Sequence, residues 1–312
     1  MTAFAFVFPG QGSQAVGMLD AWGDHPAVRA TLEEASAALG EDIAALIAGG
    51  PKEQLDLTTN TQPVMLTAAI AAWRAWLAEG GAQPVAVAGH SLGEYSALVA
   101  AGALTLADAL PLVRLRAQAM QQAVPVGRGA MAAILGLDAA AVVAGCAEAA
   151  AASGEVVSAA NFNDPKQTVI SGSQAGVAKA CELLKAAGAK RALPLAVSAP
   201  FHCALMQPAA EALRTALVGV PVQMPAIPVV NNIDVAAPAD PAAIRDALYR
   251  QAAGPVRWVE VVGALKARGA THIIECGPGK VLAGMVKRID GELASGAIFD
   301  PASLAETKGV LA

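Results

Sequence analysis

The tightest constraint in this sequence lies between residues 84 and 102. An apolar run, Pro84-Val85-Ala86-Val87-Ala88, passes directly into Gly89-His90-Ser91-Leu92-Gly93 and then into Glu94–Ala101, a helical stretch that Gly102 closes. A strand turning this sharply into a helix makes the central side chain project from the edge of the sheet. Glycines two residues to either side remove the Cβ atoms that would otherwise collide. The Leu92 N–H, together with the helix N-terminus, then faces any oxygen near Ser91 Oγ, where backbone donors can hold an oxyanion. The plain alternative, a serine that only caps a helix, needs no flanking glycines.

Composition sets the frame around this turn. The 312 residues are 55% hydrophobic and only 15% charged, against a usual charged share of about 25%. Such a chain can fill a large core, which excludes intrinsic disorder as its main state. A net charge of -5 argues against nucleic-acid binding, which needs a basic footprint. The long uncharged runs Ala192–Ala210 and Thr215–Ile233 are broken by repeated prolines, so neither reads as a membrane span. The first residues carry no charged region ahead of their apolar stretch, so no secretory signal is expected. Cys146, Cys181, Cys203 and Cys276 are scattered with no CxxC pair, which suggests a reducing cytoplasm and no metal site.

The rest of the chain reads as α/β. It opens with the β-type run Phe4–Phe8, stopped by Pro9-Gly10 and the polar turn Gln11-Gly12-Ser13-Gln14. Apolar spacing predicts helices over 26–49, 63–79 and 105–123, with Pro63 in a first helical turn. From residue 129 the rhythm becomes β-α-β-β-α-β: strands near 130–135, 155–161, 167–171 and 190–197, and helices capped by Asp138 and Ser173. That is the ferredoxin-like order. The expectation is an α/β-hydrolase-like large domain with a mostly parallel sheet, built from 1–127 and 199–312, with residues 128–198 inserted as a small ferredoxin-like domain. In the returning segment, helices are expected at 204–217, 241–251 and 258–268, strands at 227–230 and 272–276, and a final helix from about 280.

A serine hydroxyl needs a base to become a nucleophile. His25 precedes a proline in a polar turn, His272 begins a strand, and His90 diverges from Ser91 around the tight turn. His202, in Ser198-Ala199-Pro200-Phe201-His202-Cys203, lies in a loop at the domain junction, where sites collect. A histidine beside Phe and Cys is equally an ordinary core residue. Between Ser91 and His202 no acid occupies an obvious strand-end loop, which favours a Ser-His pair oriented by a backbone carbonyl in place of a carboxylate.

Five motifs in register, Phe8-Pro9-Gly10-Gln11-Gly12-Ser13-Gln14, Gly89-His90-Ser91-Leu92-Gly93-Glu94, Arg116 within Val113–Met120, Pro200-Phe201-His202 and Gly277-Pro278-Gly279, resemble those of malonyl-CoA:acyl carrier protein transacylases. The resemblance covers nearly the whole chain. It implies an acyltransferase of fatty acid biosynthesis that uses a coenzyme A thioester as substrate, with no cofactor and no metal. It implies Ser91 as the acyl-accepting nucleophile, His202 as base and then acid, and Gln11 with the Leu92 amide as the oxyanion hole. It also implies that the Gln251 main-chain carbonyl orients His202, and that Arg116 binds the malonyl carboxylate. The last role suits a guanidinium fork, which holds a carboxylate through two parallel bonds; by position alone, Arg116 is an ordinary solvated helix residue. Phe201 stands where stand-alone members often carry Ser, as in malonyl-selective polyketide synthase domains, and Ala117 stands where many members have Gly. The implied partners are malonyl-CoA and an acidic acyl carrier protein, for which Lys185, Lys190, Arg191, Lys280, Lys287 and Arg288 are candidate contacts. A transferase of malonate decarboxylase, a trans-acting polyketide loader and a serine hydrolase or thioesterase are the alternatives.

Overall fold

The computed structural model describes residues 2–312. Strand β1 (Phe4–Phe8) pairs in parallel with β2 (Ala86–Gly89). Four strands follow in the central segment, β3 (Gly129–Leu135), β4 (Val157–Asp164), β5 (Gln167–Ser173) and β6 (Arg191–Pro194). The chain then returns through β7 (Val229–Val230), β8 (His272–Cys276) and β9 (Ala294–Ile298). Two sheets result: a parallel one ordered β7-β2-β1-β8-β9, and an antiparallel one ordered β4-β5-β3-β6. The second is the strand order of a ferredoxin-like unit, with helices Ala139–Ser153 and Gln174–Ala186 on it. Asp138 and Ser173 cap these helices, each accepting a backbone N–H, as side-chain oxygens at helix starts do.

Burial explains the large sheet. All five residues of β1 and all four of β2 are buried, the mark of a parallel sheet covered on both faces. On one side Phe4 and Phe6 meet Trp73 and Trp76 of the long helix Thr58–Ala78 edge to face, at 5.4–6.0 Å between centroids. On the other, Ala5, Val7 and Ala88 pack on Trp258, Val261 and Val262 of helix Trp258–Ala267. Strand β4 meets the large-sheet unit at the loop residue Val256, whose N–H donates to Ala160 and whose carbonyl accepts from Phe162. No helix among the described residues is long and apolar enough to cross a membrane.

Several element boundaries differ from the sequence expectation. The helix expected over 26–49 is broken into Pro26–Leu39 and Ile43–Gly49. Gly40 adopts a left-handed φ of 65°, and Asp42 caps the next helix. The helix expected from Pro63 begins at Thr58, with Pro63 inside it. Burial of that face outweighs one lost N–H bond. Strand β4 runs three residues further than expected, and β6 ends at Pro194. The chain also does not end on the helix starting near 280. After Val281–Ile289 it adds β9 and a helix, Pro301–Leu311. The Ala-Ser-Gly-Ala-Ile run of β9 has little intrinsic strand preference; its pairing with β8 makes it a strand.

Candidate active site

The ends of β1 and β2 open into a cleft of about 430 Å³ whose other wall includes Met131 and Val169 of the small sheet; it is lined among others by Gln11, Gln62, Ser91, Leu92, Arg116 and His202. Both glycines around Ser91 are required by close approach. A Cβ on Gly89 would lie 1.9 Å from the Gly93 backbone, and one on Gly93 would lie 2.1 Å from the Phe8 carbonyl oxygen. Ser91 itself takes φ 53°, a region that costs a non-glycine residue about 1–3 kcal/mol. His202 is left-handed as well, at φ 61°. Two strained residues on separate segments thus face each other across the cleft.

Ser91 Oγ lies 2.6 Å from His202 Nε2. The opposite ring nitrogen, Nδ1, lies 3.0 Å from the Gln251 carbonyl oxygen and 3.1 Å from that of Gly254. Carbonyls only accept, so Nδ1 carries the proton and Nε2 is left to accept from the serine hydroxyl. Burial, and then the positive charge of Arg116, push the His202 pKa down to about 3. The imidazole is therefore neutral, and able to accept a proton, throughout the neutral range.

Arg116 is not a solvated helix residue. It is 2% exposed on the inner face of helix Leu106–Ala123, and its guanidinium sits 5.5 Å from the Tyr95 ring centroid. It donates to Gln62 Oε1 at 2.8 Å, to Gln251 Oε1 at 3.2 Å and to Ser91 Oγ at 3.2 Å. These partners are two neutral amides and a hydroxyl; no carboxylate is among them. The Arg116 Nε is buried with no acceptor. A buried cation hydrogen-bonded only to neutral groups, with the buried Glu94 carboxyl acting on it from behind Gln251, is an attractor for an anion entering the cleft.

The oxyanion candidates lie where the turn puts them. The Leu92 N–H finds no acceptor within the protein among the described residues, while the N–H groups of residues 91, 93 and 94 are all bonded. Gln11 is at the cleft rim, its carboxamide bonded to Thr58 Oγ1 at 3.2 Å. His90 points away from Ser91: its Nε2 bonds Asn163 Oδ1 at 2.9 Å and its ring packs on Trp258.

Three participants escaped the sequence reading. Gln62 holds Arg116; Asn232 accepts from the Ser91 N–H at 2.7 Å; and Glu94 accepts from the Asn232 N–H and from Gln251 Nε2. The Gln251 side chain also ties Arg116 to the Ser91 carbonyl, a role beyond the main-chain contact expected of it. Burial raises the Glu94 carboxyl to about 7. Only the Glu within the Gly89–Glu94 motif had any signal in the sequence; amides inside helices or after a short strand look ordinary.

Residues 5–293 match the acyl transferase domain family. The malonyl CoA-acyl carrier protein transacylase of Salmonella typhimurium is 54% identical over 305 residues, covering 97% of this chain and 98% of the relative. The chain belongs to the malonyl-CoA:acyl carrier protein transacylase family. Among solved transacylases, the acyl-carrier-protein S-malonyltransferase of Burkholderia pseudomallei superposes with a TM-score of 0.97 at 66% identity, covering 99% of this chain and all of that one. A malonyl-transacylase solved in complex with a type II polyketide acyl carrier protein superposes equally well, with a TM-score of 0.97 at 49% identity, again over 99% of this chain and all of its own.

The His202 environment predicts a titration. Its folded pKa lies below the unfolded value of 6.5, so between 6.5 and about 3 the unfolded chain binds the extra proton. The stability this group contributes is complete above pH 6.5 and is lost as pH falls through that window. Proton NMR of the His202 ring should therefore show no midpoint between pH 8 and pH 5. A normal midpoint near 6.5 would contradict a dry imidazole.

Proposed function

We propose that this chain transfers a malonyl group from malonyl-CoA to the phosphopantetheine thiol of acyl carrier protein through a malonyl-Ser91 ester. The observation that carries this reading is the buried Arg116 guanidinium, with no carboxylate of its own, 3.2 Å from Ser91 Oγ. Malonyl differs from acetyl by one carboxylate. Its terminal carboxylate on Arg116 would bring the thioester carbonyl next to the serine.

In the first half-reaction Ser91 Oγ attacks the thioester carbonyl carbon while its proton passes to His202 Nε2. The tetrahedral oxyanion takes the Leu92 and Gln11 N–H groups as donors, and the Gln251 and Gly254 carbonyls steady the imidazolium through Nδ1–H. Collapse breaks the C–S bond, and His202 returns the proton to the leaving coenzyme A sulfur. The second half-reaction runs in reverse with the carrier thiol as nucleophile, which gives ping-pong kinetics. Arg116 acts twice in this scheme. Its charge adds to burial in keeping the free imidazole neutral, and a bound malonyl carboxylate screens that charge as the imidazolium forms. An acyl group without the carboxylate would leave both cations facing each other.

Fatty acid synthesis is the proposed setting. The four unpaired thiols support a reducing cytoplasm. The polyketide-carrier complex of a relative keeps a polyketide loader as the second reading. We assign the parallel sheet and its helices, residues 1–127 and 199–312, to catalysis, with 128–198 as a smaller domain beside the cleft. For the acidic carrier, Lys185, Lys190, Arg191, Lys280 and Lys287 remain exposed candidates, whereas the Arg288 Nε is engaged by Asp164 at 2.7 Å.

Two outcomes test the proposal. With labelled malonyl-CoA and no carrier, the purified protein should hold a stable acyl-enzyme. Multiple-turnover release of free malonate would make it a hydrolase instead. In single-turnover loading, Arg116→Ala should slow malonyl transfer by on the order of 10²–10³-fold, as expected for losing one partner of a buried charge pair, with a much smaller effect on acetyl. Equal losses for the two acyl groups would remove Arg116 from carboxylate recognition.

A further inference from the structure

We propose that Asn232 is a positioning residue, whose carboxamide clips the turn around Ser91 from both sides and so aims the hydroxyl and the Leu92 N–H at one carbonyl. The inference rests on the reading of Ser91 as nucleophile. Asn232 is fully buried, just beyond the two-residue strand β7, whose register against β2 pairs Val87 with Val229 and Ala88 with Val230. Continuing that register brings residue 232 alongside the turn. Its Oδ1 accepts the Ser91 N–H at 2.7 Å, and its Nδ2 donates to the Gly89 carbonyl at 2.7 Å.

The clip is itself held. The Asn232 N–H donates to Glu94 Oε2 at 2.8 Å, and the same oxygen accepts from Gln251 Nε2 at 3.0 Å. Gln251 Nε2 also donates to the Ser91 carbonyl. Both main-chain polar groups of Ser91 are thus bonded to side chains of the β7 loop and of helix Pro241–Ala253. A left-handed serine is disfavoured intrinsically and persists only when its surroundings over-determine it. Here two amides and a carboxyl do so. An amide is the side chain that fits, because one end must accept from an N–H while the other donates to a carbonyl.

The role predicts a split between kinetic parameters. Arg116 and Gln62 do not depend on Asn232 for their contact with each other, so carboxylate binding should survive its loss, while alignment of the nucleophile should not. Asn232→Asp supplies a test within one protein. Ionised, the new carboxylate accepts from the Ser91 N–H but confronts the Gly89 carbonyl without a proton. Protonated, it reproduces both bonds. The charged and titratable groups around it are Glu94, Arg116, His90 and His202, with Asp234 paired to Arg250 and Arg257 paired to Glu260. Arg257 reaches Asn232 through its main-chain N–H, at 3.3 Å from the Asn232 carbonyl oxygen. With its pKa pushed down to about 3 by burial and then by Arg116, His202 stays neutral over the pH span used below, so acidification there does not disable the base.

Rapid-quench loading of Ser91 from malonyl-CoA should be followed for the wild-type enzyme and Asn232→Asp between about pH 5.5 and about pH 8.5, a span chosen to protonate a buried carboxylate at its acid end. At the alkaline end the variant should load about 10²-fold more slowly, the loss expected from small misplacement of a reacting group, with KM within about 3-fold of wild type. On acidification its rate relative to wild type should recover by about 10-fold or more, as a group regaining its proton gives per pH unit. Asn232→Ala, which cannot regain the bonds, should show the loss without recovery. Should that variant not fold, the two ends of the Asn232→Asp profile, read on protein with unchanged circular dichroism, still decide. A profile parallel to wild type, or a loss confined to KM, would overturn the inference. Wild-type enzyme that never acquires malonyl on Ser91 would instead overturn the reading of the nucleophile.

Discussion

A guanidinium taken out of water with no carboxylate hydrogen-bonded to it organises this molecule. Desolvating such a charge costs several kcal/mol unless it is answered. Here the answer is partial: the Gln62 and Gln251 carboxamides, the Tyr95 ring face and the Ser91 hydroxyl. Much of the surrounding geometry keeps Arg116 in place and buried at the cleft wall. The long helix Thr58–Ala78 brings in Gln62, and helix Pro241–Ala253 brings in Gln251. Burial, and after it the same charge, push the His202 pKa down, so the proposed base is already deprotonated in the free protein. On the proposed reading, recognition and base strength share one electrostatic arrangement.

The second constraint is steric. Ser91 and His202 both sit at left-handed φ, and neither is glycine, the residue that adopts this conformation freely. The fold offsets this by crowding. Gly89 and Gly93 let the turn press against Phe8 and the following helix; the amides of Asn232 and Gln251 take up its polar groups. The Gly277-Pro278-Gly279 turn lies beneath, with the Cβ position of Gly277 3.2 Å from Pro9. The opening, central and closing motifs therefore meet at one end of the parallel sheet, where ligands of open α/β sheets bind.

Much of this was legible in the sequence because it is local. The glycine pair about Ser91 announces a close turn whatever lies around it, and the β-α-β-β-α-β rhythm of the central segment survives errors of a few residues at each boundary. What could not be read is long-range. Gln62 and Asn232 carry no local signature, since a glutamine in an alanine-rich helix and an asparagine after two valines are unremarkable until the fold brings them to Arg116 and Ser91. Of the two carbonyls on His202, that of Gln251 was expected only through the family resemblance, and that of Gly254, at a helix end far along the chain, carries no local signature. Strand β9 was missed because its small residues carry almost no strand preference, and the break at Gly40 because helical apolar spacing continues across it. By position alone Arg116 resembled a solvated residue; its burial follows from helix packing that periodicity does not specify.

The central claim is that an imidazole kept dry and neutral makes the Ser91 hydroxyl the acyl acceptor in a cleft that selects a diacid. Intact-mass spectrometry with peptide mapping, after mixing with malonyl-CoA, tests it most directly. The account predicts one malonyl group per chain, on the peptide carrying Ser91, discharged when phosphopantetheinylated carrier protein is added. A malonyl group on any other residue, or an adduct that persists in Ser91→Ala, would contradict it.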